Sequence, residues 1–395
     1  MALATGAYSS PVARSTIAGI PSVYLEVFKN PSIQTSIGGH AICISGTVDV
    51  TASATNLEIN MPPITNQSDL TSFVTNFMTI NSTVVKDYIG GPKQISGTWG
   101  IYSELCFPIE SNGVPNTTVQ FLVHGGGYDR SYWNFAPGYS YVDYVAQQGY
   151  TTFLYDRLGS GLSDHPDGTN VVQMPLQIEI AHELVQLLRT GGFSNGTAPF
   201  EKVIGVGHSI GSIVSNGVTG KHPKDFDAAV LTGFSTSLPG GAISFSGIDL
   251  NIAALADPSR FDGLAYDYAT AGSKAAVEFF FFKAPNFDPK ILDMSDALKQ
   301  TLAVGEIITD YSLAVASNFT APVFVVNGGN DLPNCLGNCL SPTNISAQVI
   351  EELYPAASNT SSYYVLPVCG HGLNAHYTAN VAYDQIYTWL QKNGF

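Results

Sequence analysis

Charge is scarce in this sequence, and positive charge scarcest of all. Its 395 residues hold 16 Lys or Arg against 31 Asp or Glu, a formal net charge of −15. Such a surface repels nucleic acid and anionic membranes, so neither is an expected partner. The same repulsion disfavours a strongly anionic substrate and points to a neutral, mostly apolar one. No uninterrupted apolar run reaches 18 residues, so no transmembrane helix is expected. Phe279-Phe280-Phe281-Phe282 is too short to span and ends at Lys283. The eight histidines form no His-x-x-x-His pair and no carboxylate cluster at ligand spacing, so no metal site is expected. No cofactor is expected either. No lysine-rich or amphipathic interfacial segment and no internal repeat stand out.

Cysteine is also sparse, and the five present leave one over if two bridges form. Cys43 and Cys106 lie in strand-like segments and can face each other. Cys335 and Cys339 can close a small loop, or either can pair with Cys369; spacing leaves this open. Seven Asn-x-Ser/Thr sequons occur, at Asn66, Asn81, Asn116, Asn195, Asn318, Asn344 and Asn359. With few lysines and much Ser, Thr and Gly, they suggest a secreted, glycosylated eukaryotic protein. The start, Met1 to Gly6, has no charged n-region or long apolar stretch. Secretion is therefore expected with the signal peptide missing from this chain, a cytosolic protein being the alternative.

What is present is a set of apolar strand patterns, each ending in a chemically capable loop. Val203-Ile204-Gly205-Val206 leads into Gly207-His208-Ser209-Ile210-Gly211 and then a helix to about Gly220. Glycines two residues either side of Ser209 let strand and helix approach without Cβ clashes. Val119 to Val123 ends in His124-Gly125-Gly126-Gly127. Pro322 to Val326 runs into Asn327-Gly328-Gly329-Asn330-Asp331, and Tyr363 to Val368 into Cys369-Gly370-His371. In a parallel sheet these carboxyl ends share one edge, where open α/β sheets bind ligands.

Together, over roughly residues 95 to 395, these motifs resemble the α/β-hydrolase superfamily, and more closely its secreted, fungal-looking esterase-like members. Gly207 to Gly211 resembles the family's nucleophile elbow, and His124 to Gly127 its oxyanion loop. The order Ser209, Asp331, His371 matches the family's nucleophile, acid and base. The resemblance implies that His371 takes the Ser209 proton and that Asp331 fixes the imidazole tautomer. It implies oxyanion donors at the backbone N–H of Ile210 and of Gly126, with Gly127 an alternative to Gly126. No Asp or Glu follows the strand pattern 228–234, the family's other place for the acid. A rival base, His376, is expected to be a packed residue at the start of the last helix. His124 and His208 are expected to be structural, and Asp156-Arg157 a buried ion pair or loop clamp.

Strand and helix patterns alternate from 119 to 234, which implies a mostly parallel central sheet with helices on both faces. About 85 residues then intervene before Pro322, too many for a loop. The resemblance makes them a helical cap inserted after the sixth strand, with helices near 252–256, 272–282 and 297–314. Phe279 to Phe282, Tyr266 and Tyr268 are candidate pocket aromatics. The expected organisation is 1–94 amino-terminal arm and edge strands, 95–235 core, 236–321 cap, and 322–395 core. Thr98 to Phe107 is expected at the sheet edge. The expected activity is cleavage of a carboxylic ester or lactone through an acyl-enzyme. A cyclising, lactonising or acyl-transfer enzyme with the same triad, and a non-catalytic ligand binder, are the alternatives. Epoxide hydrolysis and dehalogenation need an aspartate where Ser209 stands.

Overall fold

A computed structural model of the chain describes residues 22–110, 117–310 and 313–395. The first 21 residues of the expected arm and edge-strand segment, 1–94, lie outside the described residues. After them come a short 3-10 helix, Ser22–Leu25, and strand β1, Lys29–Thr35.

The central sheet has nine strands. In chain order they are β1, β2 (Ala41–Ile59), β3 (Ile89–Pro108), β4 (Thr118–Val123), β5 (Thr151–Tyr155), β6 (Lys202–His208) and β7 (Ala228–Thr232). Three short cap strands follow, β8 (Leu250–Ile252), β9 (Tyr268–Ala271) and β10 (Leu302–Ala303). The last two, β11 (Val323–Gly328) and β12 (Ser362–Leu366), return to the central sheet. Its order is β1-β2-β3-β5-β4-β6-β7-β11-β12. From β5 to β12 every pairing is parallel; β1, β2 and β3 add an antiparallel flank. Strands β4, β6, β7 and β11 are almost wholly buried apolar runs, as a sheet covered on both faces requires. Helices Tyr141–Gln147 and Ala379–Lys392 pack together, and helices Met174–Arg189 and Ile210–Lys221 form a second pair. No helix among the described residues is long and apolar enough to cross a membrane.

Two local expectations change. The strand expected at the edge over 98–107 is part of β3, which lies third in the sheet between β2 and β5. Local alternation reveals a strand but not its neighbours. The expected 94/95 boundary also falls inside β3. Strands β2 and β3 have 19 and 20 residues, far longer than the five to seven of the parallel strands. The chain between them forms a helix, Gln67–Met78, that packs on the cap. Gln67 Nε2 donates to the Leu250 carbonyl (3.0 Å), and the Ile252 N–H donates to Gln67 Oε1 (2.9 Å).

The cap lies between β7 and β11, which places it after the sixth strand when the sheet is counted from β2. It is not wholly helical. Besides helices such as Gly241–Gly247, Lys274–Phe281 and Val304–Thr309, it holds the antiparallel sheet β10-β9-β8. Those strands have two to four residues, too few to display a period of two in sequence.

Candidate active site

Ser209 sits between β6 and the helix Ile210–Lys221, with φ 52° and ψ −121°. A side-chain-bearing residue in such a sparsely populated region costs about 1–3 kcal/mol and persists only where its surroundings enforce it. Here the flanking glycines allow the turn. A Cβ on Gly211 would lie 2.1 Å from the Val123 carbonyl oxygen, and one on Gly207 2.5 Å from the Gly211 carbonyl oxygen.

His371 follows β12 and turns back to Ser209. Its Nε2 lies 2.8 Å from Ser209 Oγ, and its Nδ1 2.7 Å from Asp331 Oδ2. Asp331 follows β11, is fully buried and caps the short helix Leu332–Cys335. Its Oδ1 accepts from the Asn334 N–H (2.9 Å), and its Oδ2 from Asn334 Nδ2 (2.9 Å). These donors fix the carboxylate. They leave Nδ1–H of His371 to donate to it and Nε2 to accept from the serine hydroxyl, a tautomer assigned from the network. The structure thus brings Ser209, His371 and Asp331 into one relay.

The loop after β4 runs beside this relay. A Cβ on Gly125 would touch that of Ser209 at 3.0 Å; one on Gly126 would meet Ile210 Cδ1 at 2.8 Å. Gly126 and Ile210 are therefore neighbours. Neither backbone N–H finds a backbone acceptor among the described residues, Ile210 because it opens a helix. Gly127 has φ +70°, and its carbonyl accepts from the Gln300 N–H (2.9 Å).

His124 supports the loop. Its Nδ1–H donates to the Gly125 carbonyl (2.8 Å), and its Nε2 accepts from the Arg157 N–H (2.9 Å). Burial, with the Arg157 charge adding to it, holds its pKa well below the usual histidine range. His208 is likewise held low, by burial and then by His371, and stacks on Tyr132 at 4.4 Å. Asp156 and Arg157 are both buried in ion pairs that clamp loops, each with a partner of its own. Asp156 holds Arg130 (2.7 Å), while Arg157 pairs with Glu306 of the cap. Adjacent residues in an extended segment point apart, so each finds a distant partner.

His376 has no nitrogen free for catalysis. Its Nδ1–H donates to the Gly372 carbonyl (2.8 Å), and its Nε2 accepts from the N–H groups of Lys283 (2.9 Å) and Gly370 (3.1 Å). It therefore ties the His371 loop to the cap. Burial pushes its pKa down to about 4. A depressed folded pKa gives stability that is complete above the unfolded value near 6.5 and lost as pH falls through about 4. Urea unfolding of wild type and His376→Gln isolates this contribution from carboxyls that titrate oppositely. The wild type is expected to lose about 3 kcal/mol more than the variant between pH 7 and pH 4; parallel pH curves would refute the assignment.

The cysteines pair as Cys43–Cys106, which join β2 to β3, and Cys335–Cys339, which closes the loop after Asp331. Cys369 is free and buried, and burial raises its thiol pKa to about 12.

A cavity of about 130 Å³ opens at Ser209 and His371. Its wall is mostly apolar, including Ile210, Phe234, Phe245, Phe280, Phe281 and Leu302. Of the anticipated aromatics, Phe280 and Phe281 line it. Phe279 is exposed, Phe282 packs on Phe287 and His376, and Tyr268 donates to the Pro166 carbonyl (2.6 Å). Tyr266 lines a separate surface concavity. Phe234, just past β7, and Phe245 and Asp310, brought in by the cap, line the cavity without a local sequence signal.

Two groups of potential metal ligands occur among the described residues. In Cys43, Glu104 and Cys106 the sulfurs are committed to a disulfide. The other is His182, His222 and Asp225, a grouping that sequence spacing did not reveal. Its imidazoles stack 3.6 Å apart and 9° from parallel. An ion at the usual 2.0–2.1 Å from nitrogens on both rings would lie roughly 1.8 Å, half the 3.6 Å separation, out of each plane, far off the lone pairs. His182 Nδ1 instead meets Asp225 Oδ2 (2.6 Å), and His222 Nε2 meets Glu179 Oε1 (3.3 Å).

This sheet order, with Ser209, Asp331 and His371 carried past the ends of β6, β11 and β12, defines an α/β-hydrolase fold. The profile of the Alpha/beta hydrolase family matches residues 120–384, and the chain belongs to that family. No curated protein matches the sequence. Among solved structures, a monoacylglycerol lipase of Paleococcus ferrophilus is similar at TM-score 0.51 and 17% identity, covering 74% of this chain and 99% of its own. A thermophilic esterase from Thermogutta terrifontis matches at TM-score 0.50 and 15% identity, covering 76% and 96%. A 2-hydroxy-6-oxo-6-phenylhexa-2,4-dienoate hydrolase from Rhodococcus sp. strain RHA1 matches at 0.50 and 16%, covering 75% and 96%. At these identities the likeness shows the fold, and the family supports hydrolase activity in general.

Proposed function

We propose that the protein is a serine hydrolase that cleaves a carboxylic ester or lactone of a small, neutral, apolar molecule. Ser209 is the nucleophile, His371 the general base and then acid, and Asp331 the residue that orients and stabilises the imidazolium. The N–H groups of Ile210 and Gly126 receive the oxyanion. The observation that carries this reading is the unbroken relay from Ser209 Oγ (2.8 Å) through His371 to Asp331 (2.7 Å) at the mouth of an apolar cavity. A cavity near 150 Å³ holds benzene, so one of about 130 Å³ suits a short chain or single ring. The test is stoichiometric labelling by a fluorophosphonate, read by intact mass, followed by turnover of short p-nitrophenyl esters and lactones. A folded protein that neither labels nor turns over any ester would end this reading.

The apolar wall and overlying cap also suit capture of the acyl group by a hydroxyl of the substrate itself. Turnover in oxygen-18 water separates the outcomes: label enters a hydrolysed acid and is missing from a cyclised or transferred product.

We also propose secretion. Two disulfides fit an oxidising compartment. The sequon residues Asn66, Asn81, Asn195, Asn318 and Asn359 are exposed, Asn344 is half-buried and Asn116 lies outside the described residues. Protein from a eukaryotic secretory host is expected to lose mass on endoglycosidase treatment; an unchanged mass would count against it.

A further inference from the structure

One buried polar group on the cavity wall plays no part in the relay. Asp310 follows the cap helix Val304–Thr309, is 3% exposed and lines the same cavity as Ser209 and His371. Its Oδ1 is buried with no hydrogen-bond partner among the described residues. The other buried polar side chains of the wall are accounted for. Ser235 Oγ donates to Asn334 Oδ1 (2.9 Å), Asn334 Nδ2 donates to Asp331, and His371 lies in the relay. A buried polar atom without a partner is rare in folded proteins and demands an explanation.

The surroundings decide what this carboxyl can offer. The charged group acting on this carboxyl is Glu306, four residues earlier and so on the same helix face. Glu306 is already engaged by both terminal nitrogens of Arg157. No cation pairs with Asp310 among the described residues. Burial first, and then the Glu306 charge, hold its pKa well above the carboxylate range. With no cation beside it, burial and that like charge both favour the protonated form, which has one O–H to donate. A carboxylic acid kept neutral by an apolar site is an established hydrogen-bond donor in enzymes.

We propose that Asp310 determines substrate specificity by donating a hydrogen bond to a neutral acceptor oxygen, carbonyl or ether, on the part of the substrate lodged in the cavity. This rests on the serine hydrolase reading and narrows its substrate class from apolar molecules to apolar molecules carrying one further oxygen. A neutral oxygen suits the site better than an ammonium. An ammonium brings three donors, and the apolar wall around Asp310 would leave most of them unmatched.

The test uses two matched pairs of esters on the full chain. One pair varies the acyl part, p-nitrophenyl pentanoate against p-nitrophenyl 4-oxopentanoate. The other varies the alcohol part, cyclohexyl butyrate against the butyrate of 4-hydroxycyclohexanone. Fluorophosphonate labelling of Ser209 certifies each variant as folded and competent. Leaving a buried donor unpaired predicts that wild type favours the oxygen-bearing member of at least one pair by about tenfold to a hundredfold in kcat/KM. Asp310→Asn retains a donor and is expected to keep most of that preference. Asp310→Leu is expected to abolish or invert it, with Asp310→Ala as the second variant should leucine fail to fold. Equal ratios in wild type and in the apolar variant, with labelling intact, overturn the proposal and leave the hydrolase reading standing. Preference lost in Asp310→Asn and gained for an amine-bearing ester in wild type also overturns it, in favour of an ionised Asp310. Wild type that does not label removes the reading on which the proposal rests.

Discussion

Ser209→Ala is expected to abolish fluorophosphonate labelling and to lower kcat on a p-nitrophenyl ester by roughly 10⁶-fold, the loss measured when the triad serine of subtilisin is removed. KM should move little, because the hydroxyl contributes to the transition state more than to binding. The serine hydroxyl faces one imidazole nitrogen at 2.8 Å, and the other nitrogen faces a buried carboxylate at 2.7 Å. Removing any member breaks the same proton path, so the penalties should not add. His371→Ala and the Ser209→Ala/His371→Ala double variant should fall to the same residual rate as Ser209→Ala. Asp331→Asn should cost about 10⁴-fold, since an amide no longer selects the Nδ1–H tautomer. Penalties that multiply in the double variant, or a Ser209→Ala rate within tenfold of wild type, would show that the relay is not the reacting unit.

Much of this arrangement is legible along the chain because it depends on short-range signals. Ser209 is found through glycines that the turn needs, Asp331 and His371 through loops that follow apolar strands. Buried parallel strands read as continuous apolar runs, so β4, β6, β7 and β11 stand out. What is not legible depends on contacts far apart in sequence. Nothing near Arg157 announces Glu306, 149 residues away. Nothing local shows that β3 is interior, or that the helix Gln67–Met78 reaches across to β8. The cap conceals most. Its elements are short, its sheet has strands of two to four residues, and a single acid among many, Asp310, acquires meaning only where the folded cap delivers it.

Glu306→Ala is expected to destabilise the protein by about 3–5 kcal/mol, the usual consequence of leaving a buried charge without its partner. The side chains of Arg157 and Glu306 are 0% and 2% exposed. The guanidinium cannot shed its proton to escape. The same arginine donates from Nε to the His124 carbonyl (3.1 Å) and from its backbone N–H to His124 Nε2 (2.9 Å). The ion pair thus joins the cap to the loop that carries Gly126. A lower urea midpoint with unchanged slope is the expected readout, and a loss under about 1 kcal/mol would contradict it. The paired change Arg157→Met/Glu306→Leu should recover most of the stability, because it removes both charges and both desolvation penalties. If the double variant is no better than Glu306→Ala, shape rather than charge holds this junction. The single change also bears on Asp310. Without the Glu306 carboxylate one turn away, Asp310 loses a like charge that disfavours its ionisation. Its pKa should therefore fall, yet stay above the ordinary carboxylate range because burial is the larger cause.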